Sequence, residues 1–250
     1  MNINEIEKIL IKSKVFNYKY VYIYSDLRFF LLFHNKNPLI FINKFLNLFL
    51  KKKITLIIPT FSYTTKGKFD VRKTPSKLGF LSNYILNKKN SLRSSHPLFS
   101  FAALGKNKKI LQNIGKSAFG KDSAHVRLYK NNSCYLYFGR PMILGNTLVH
   151  HVEQKFKVKC RYEKKFSTNV YSGNQYISKN YTAFVRKNMK NNKYIFNFKK
   201  VYKKIKNDPY LFNYGDPKKF KNITVHPYDN FYERIEQLTK EDKNIFINKN

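Results

Sequence analysis

Thr147, His150 and Glu153 stand three residues apart in the stretch Gly145-Asn-Thr-Leu-Val-His-His-Val-Glu153. In a helix, each step of three residues falls about 60° short of a full turn. The three side chains then share one face, with His150 in the middle. A carboxylate one turn from an imidazole fixes its tautomer and makes it a better proton acceptor. The spacing therefore offers a general base with its orienting group in place. His-x-x-Glu alone is common, and most copies are solvated pairs on a helix surface. Two features set this copy apart. Asp and Glu total only 14 in 250 residues, so each acid is a scarce event. The segment also follows Cys134-Tyr-Leu-Tyr-Phe-Gly139, which reads as a buried strand ending in glycine. A strand, a loop and then a helix start is where α/β proteins place chemistry.

The elements that must position these residues follow from periodicity. Asn2 to Ser13 has Ile and Leu at helical spacing, and Tyr18 to Tyr24 is β-branched and aromatic, as in a strand. Ser25-Asp26-Leu27 is a turn. Pro38 to Lys52 returns to helical spacing, Ile54 to Pro59 is an apolar strand, and Thr64 to Thr74 reads as an exposed loop. Ser76 to Lys88 predicts a helix after Pro75. Phe99 to Gly105 is apolar, Asn107 to Ile114 predicts a short helix, and Ser133 to Gly139 a strand. Strands alternating with helices indicate an α/β sheet. After about residue 156, Val158 to Arg186 shows short alternating runs, as in antiparallel strands. Tyr194 to Lys206 is basic and roughly helical, Phe231 to Leu238 predicts a last helix, and Lys240 to Asn250 a loose tail. The chain is read as one domain over 1–250. An α/β part spans 1–156, a β-rich and helical part 157–240, and a tail 241–250.

Composition narrows the classes. Hydrophobic residues make up 42% and aromatics 17%, which excludes a disordered chain. The longest apolar stretch, Phe29 to Leu50, is broken by His34, Asn35, Lys36, Asn37, Asn43 and Lys44, so no membrane span is expected. The first residues lack the basic start and apolar core of a signal peptide, and the expected location is the cytoplasm. Cys134 and Cys160 lack metal-ligand spacing and are expected to be reduced and structural. No metal is expected. The net charge of +35 invites a nucleic-acid reading. Against it, the chain has 41 Lys and only 8 Arg, beside abundant Asn, Ile, Phe and Tyr. That is the signature of A/T-rich codons, and Arg is the residue suited to bidentate phosphate contact.

Three segments together carry a resemblance. They are Ile58-Pro-Thr-Phe-Ser-Tyr63, Leu92-Arg-Ser-Ser-His-Pro-Leu-Phe-Ser-Phe-Ala-Ala-Leu-Gly105, and Asn146-Thr-Leu-Val-His-His-Val-Glu153. In order and content they resemble the aminoglycoside 3-N-acetyltransferase family. Thr74-Pro-Ser-Lys-Leu-Gly79, Phe119-Gly-Lys-Asp-Ser123 and Tyr24-Ser-Asp-Leu27 look like it too, so the resemblance covers roughly residues 15 to 165. It implies an α/β/α sandwich with an antiparallel extension, and acetyl transfer from acetyl-CoA to an amine of an amino sugar. It also implies His150 as general base, Glu153 as its orienter and Thr147 beside them. Ser94, Ser95, His96 and Pro97, after Arg93, would lie by the thioester and pantetheine. Ser25, Asp26 and Leu27 would lie near the cofactor.

Two departures bear on the acceptor. Resistance enzymes of the family usually carry an Asp just before the Thr-x-x-His helix, where this chain has Leu144-Gly145. The second half, which would supply the acceptor pocket, is basic. Such a surface repels a polycationic drug and attracts an anionic acceptor such as a nucleotide-linked amino sugar. The other class consistent with the charge is a non-enzymatic basic protein on the same fold, binding RNA or an anionic surface. Among the remaining histidines, His151 points about 100° from His150 and is expected to pack, while His34, His125 and His226 have no evident companions. Asp26 and Asp122 are rare acids in turns. Asp26 could meet the acceptor amine or simply cap its turn.

Overall fold

The computed structural model describes residues 2–26, 28, 37–187 and 194–249. Leu27 and His34 lie outside the described residues. In chain order the elements are α1 (Ile3–Lys12), β1 (Tyr20–Ser25), α2 (Pro38–Leu50), β2 (Thr55–Pro59), β3 (Lys68–Asp70), α3 (Phe80–Leu86), β4 (Ser91–Arg93) and β5 (Phe101–Leu104). They continue with α4 (Ala124–Tyr129), β6 (Ser133–Phe138), α5 (Leu148–Lys155), β7 (Arg161–Phe166), β8 (Asn169–Ser172), β9 (Gln175–Ser178) and β10 (Tyr181–Arg186). The last are β11 (Tyr194–Phe196), α6 (Lys199–Ile205), β12 (Phe212–Asp216), β13 (Lys221–Pro227), α7 (Tyr228–Glu241) and β14 (Ile247–Lys249).

Seven strands form the main sheet in the order β12-β13-β6-β1-β2-β5-β4. The three central strands are parallel, with β1 between β6 and β2. The flanking strands join antiparallel. A parallel centre is buried on both faces, so its strands are apolar throughout. Here the two faces differ in kind. Tyr20, Tyr22 and Tyr24 of β1 and Tyr135 and Tyr137 of β6 point to one side. Val21 and Ile23, with Cys134, Leu136 and Phe138, point to the other. Because side chains alternate along a strand, the sequence Tyr-Val-Tyr-Ile-Tyr sorts itself into an aromatic and an aliphatic layer. Helices α1, α2 and α3 cover the aliphatic face. Helices α4, α5, α6 and α7 cover the tyrosine face. The result is the three-layer α/β/α sandwich. In the second half, β7 pairs antiparallel with β10, and β8 with β9, while β3 joins β8 in parallel.

Several expectations need correction. The helix expected over Ser76 to Lys88 starts only at Phe80, because Gly79 has φ 102° and breaks the turn before it. Thr64 to Thr74 is not wholly exposed: Phe69 and Asp70 are buried, and β3 runs through them. Tyr194 to Lys206 splits into strand β11 and helix α6. The segment from Lys240 is not loose. Ile245, Phe246 and Ile247 are buried, and β14 pairs with β11. Its apolar triplet outweighs the polar composition around it. Both cysteines are free and buried. Among the described residues, no helix is long and apolar enough to cross a membrane.

Leu136 is fully buried in β6, the strand that leads to α5. Leu136→Ala should lower the unfolding free energy by about 2–5 kcal/mol, as for other buried leucines. Urea denaturation of the two proteins measures it.

Candidate active site

The chain leaves β6 through Gly139, passes a 3₁₀ turn at Met142–Leu144 and enters α5. Gly145 has φ 71°, a conformation that suits glycine and turns the backbone into the helix. Asn146 ties this corner down. Its Nδ2 donates to the Tyr137 hydroxyl at 2.6 Å, and its Oδ1 accepts from Leu148 N at 3.0 Å. Thr147 sits at the N-cap, where its amide donates to the Tyr24 hydroxyl at 3.2 Å and its Oγ1 lies 3.2 Å from the same oxygen. Tyr24 and Tyr22 hydroxyls are 3.1 Å apart. The tyrosine layer of the sheet thus ends in hydroxyls that hold the start of α5.

One turn on, His150 Nδ1 lies 2.7 Å from Glu153 Oε2. The carboxylate can only accept, so Nδ1–H is the donor and Nε2 is left free to take a proton. About a fifth of the His150 side chain is exposed, against 1% for Glu153. The imidazole ring meets the Phe119 ring edge-on at 5.3 Å and the Phe196 ring at 5.9 Å. Burial pushes His150 below its ordinary range, and the Arg161 and Arg186 charges push the same way. The hydrogen bond and charge of Glu153 oppose them and lose. His150 is therefore neutral at pH 7. Burial would raise Glu153, but the hydrogen bond from His150 and the charge and hydrogen bond of Arg161 hold it below the usual carboxylate range. The Arg161 Nε lies 2.8 Å from the same Oε2 that His150 uses. Arg161 was not singled out from the sequence. Its one visible signal was rarity, as one of eight arginines eight residues past Glu153.

A cavity of about 500 Å³ opens in front of His150, a size suited to a drug-sized ligand. Ser25, Asp26, Thr147 and His150 line it, with Tyr24, Arg140 and Asn146 as further polar residues. Ile58, Phe61, Phe80 and Phe196 supply apolar wall. Glu153 does not line the cavity but braces His150 from behind. Asp26 caps its turn, accepting from Arg28 N at 2.9 Å, and forms a two-pronged pair with the Arg28 guanidinium. The Arg28 hydrogen bond holds its carboxyl below the ordinary range. Arg140 donates to the Gly145 carbonyl at 3.0 Å and lies over the Tyr24 ring.

The Arg93-Ser-Ser-His-Pro97 turn lies elsewhere. None of Arg93, Ser94, Ser95, His96 and Pro97 lines this cavity. Arg93 is buried and donates to Ser100 Oγ at 3.0 Å and to the Thr60 carbonyl at 2.7 Å, with a further bond to the Thr74 carbonyl. Ser94 Oγ accepts from Phe101 N at 2.9 Å. His96 Nδ1 accepts from the amides of Leu98 and Phe99, and its Nε2–H donates to the Thr182 carbonyl at 3.0 Å. These bonds, with Ser62 Oγ donating to the Pro97 carbonyl, fix the loop Thr60–Tyr63 that carries Phe61 and Tyr63 into the cavity wall.

Other histidines also found partners. His151 is buried, with Nδ1–H donating to the Phe119 carbonyl at 2.5 Å. His125, expected to stand alone, meets the Tyr228 hydroxyl at 2.8 Å and stacks 6.4 Å from the His151 ring. His226 lies 3.6 Å from Asp208. Among the described residues, no group of three His, Cys, Asp or Glu is placed to hold a metal.

A three-layer sandwich with a buried-carboxylate-braced histidine at the mouth of a cavity defines a class. The chain belongs to the aminoglycoside 3-N-acetyltransferase family, whose model matches residues 41–224. It is thus an acyltransferase, and the family implies acetyl-CoA as cosubstrate. No curated protein matches the chain. Among solved structures, the apoenzyme of aminoglycoside acetyltransferase AAC(3)-IVa is 18% identical, with a TM-score of 0.76 over 98% of this chain and 90% of that one. The YokD protein from Bacillus subtilis is 15% identical, with a TM-score of 0.72 over 96% and 99%. AAC-VIa bound to sisomicin is 13% identical, with a TM-score of 0.76 over 96% and 98%. Identities this low establish the shared fold.

His96 generates a prediction. Burial depresses it to about 4, against the ordinary 6.5. Between these values the unfolded chain binds a proton that the folded chain refuses. Its contribution to stability is present above pH 6.5 and is lost as pH falls toward 4, in total roughly 3 kcal/mol. Urea denaturation at pH 7.5 and 4.5 should show a larger loss for the wild type than for His96→Gln. Equal losses would contradict the assignment.

Proposed function

We propose that the protein transfers acetyl from acetyl-CoA to an amino group of an amino sugar, with His150 as general base. The observation that carries this reading is the 2.7 Å bond between His150 Nδ1 and Glu153, in a side chain that lines the cavity and stays neutral at pH 7. A sugar ammonium cannot attack until it loses a proton, and a neutral imidazole in reach is suited to take it. Glu153 fixes the tautomer with Nε2 as acceptor and stabilises the imidazolium that forms. The freed amine attacks the thioester carbonyl directly, so no residue forms a covalent intermediate. The C–N bond forms, the C–S bond breaks, and the thiolate leaves, taking up the second proton that the nitrogen sheds as the amide forms. Thr147 Oγ1 and Tyr24 Oη, from residues that line the same cavity as His150, are the polar groups proposed to meet the developing oxyanion.

Acetyl-CoA fits the cavity on two counts. The volume suits the pantetheine arm and acetyl group, and the walls alternate apolar side chains with hydroxyls. Ser25 and Asp26, at the end of β1, are the residues proposed to meet it. Arg93, Ser94, Ser95, His96 and Pro97 are proposed to act as the frame of that wall rather than by contact.

The acceptor side favours an amine of low positive charge. Among the described residues that line the cavity, Asp26 carries the one carboxylate, and Arg28 already pairs with it. Arg140 adds a positive charge to the same wall. Leu144, half-exposed at the rim, stands where the family's resistance enzymes usually have their acid nearby. A polycation such as the sisomicin bound by AAC-VIa would find little to pair with. A nucleotide-linked amino sugar would meet Arg140 without repulsion.

The test is a thiol-release assay with acetyl-CoA against two panels, aminoglycosides and nucleotide-linked amino sugars. Turnover with the second panel and weak turnover with the first is the expected result. Turnover with neither, together with salt-dependent RNA binding and no affinity for CoA, would instead favour a binding protein. His150→Ala should reduce turnover by at least 100-fold while CoA binding, read by calorimetry, persists. Unchanged turnover would remove His150 from the mechanism. Glu153→Gln should lower the rate and move the pH profile; an identical profile would count against the dyad.

A further inference from the structure

The Glu153 Oε2 atom takes two hydrogen bonds, from His150 Nδ1 at 2.7 Å and from Arg161 Nε at 2.8 Å. Both charged partners are nearly sealed from solvent, with the Glu153 side chain 1% exposed and that of Arg161 8%. Arg161 is itself held in place. It begins β7 after a tight return that brings Val158 N back to the Glu153 carbonyl, through Lys157 at φ 49°. Its NH1 donates to the Phe184 carbonyl on β10 at 3.2 Å. Helix α5 ends at Lys155, so Arg161 lies beyond it. It reaches the carboxylate only because the chain folds back here.

The charges decide what this contact does. A buried carboxylate with a neutral imidazole as its one partner carries an unbalanced charge in a poorly solvated place. It would relieve this by drawing a proton onto His150, and an imidazolium cannot act as a base. A guanidinium on the same oxygen offsets that charge, and it cannot itself give up a proton at working pH.

We propose that Arg161 is a positioning residue of the site, which pins the Glu153 carboxylate and offsets its charge so that His150 waits as a neutral proton acceptor. The inference rests on the reading of His150 as general base. The charged and titratable groups facing His150 are Glu153 from α5, Arg161 from β7, Arg186 from β10 and His125 from α4. Arg186 lies opposite Arg161 in the β7–β10 register and is exposed. It acts at longer reach and through solvent, so Arg161 dominates.

The experiment is the pH profile of kcat/KM, from pH 5 to 9, for the wild type, Arg161→Met, Arg161→Gln and Arg186→Gln. Two neutral replacements of Arg161 are made so that one folded variant, judged by circular dichroism, suffices. The acidic limb should move to higher pH in the Arg161 variants and little in Arg186→Gln. Turnover at neutral pH should fall roughly 10- to 100-fold, in kcat more than in KM. An NMR titration of the His150 ring in the same variant should move with the limb, and it reads the imidazole without turnover. A limb and ring titration that superimpose on the wild type, with only activity reduced, would overturn the proposal and leave Arg161 a strut. His150→Ala, run in parallel, separates the two readings. Retained turnover there refutes the general base, whereas an inactive His150→Ala beside an unshifted Arg161 profile refutes the Arg161 assignment alone.

Discussion

A single carboxylate oxygen, buried beneath a helix, receives an imidazole from the same helix and a guanidinium from the strand that follows. Everything around the cavity is arranged so that this three-way contact can exist. The carboxylate needs both donors because it is nearly sealed from bulk solvent. The imidazole takes its tautomer from the carboxylate, whose charge the guanidinium offsets. The guanidinium needs a backbone carbonyl, supplied by Phe184, to hold its far end. Remove Glu153 or Arg161 and a buried charge is stranded, which for pairs of this kind costs several kcal/mol.

The tyrosine face of the sheet is what sets the helix at the right height. Aliphatic residues at positions 22, 24 and 137 would leave the first turn of α5 without the hydroxyls it bonds. Tyrosines bury their rings in the core and deliver hydroxyls at the edge, where Tyr24 meets Thr147 and Tyr137 meets Asn146. The helix start is thereby fixed in rotation as well as position. Below it, His125, His151 and Phe119 stack as a rigid floor under the His150 ring. Aromatic packing thus supports the helix that carries the Glu153 contact, in keeping with a chain so poor in acids.

The dyad was legible in the sequence because it is local. A spacing of three within a helix is read directly, and Thr147, His150 and Glu153 sit as that spacing requires. The alternation Tyr-Val-Tyr-Ile-Tyr made β1 legible for the same reason. Arg161 was hidden because its approach depends on a return turn whose left-handed residue is a lysine, not a glycine that would have marked it. The Arg93–Pro97 turn is a different case. The resemblance implies a place by the cofactor, and in the fold Arg93, Ser94 and His96 satisfy buried backbone groups in the loops around them. Residue type alone cannot say which way a polar side chain faces. The closing segment was misjudged because three buried residues, Ile245, Phe246 and Ile247, are outnumbered by polar neighbours.

That closing segment has a consequence in time. The Phe196 ring walls one side of His150, and strand β11, which carries it, is paired to β14. Asn197 N also bonds the Phe246 carbonyl at 2.7 Å. A chain growing from its N-terminus makes the dyad long before it makes the strand that steadies this wall. Until the last residues are made, His150 would stand beside an unfinished cavity wall, which would close only when the chain around Ile247 folded back. The finished cavity wall is in this sense a late event of folding, coupled to the docking of β14 on β11.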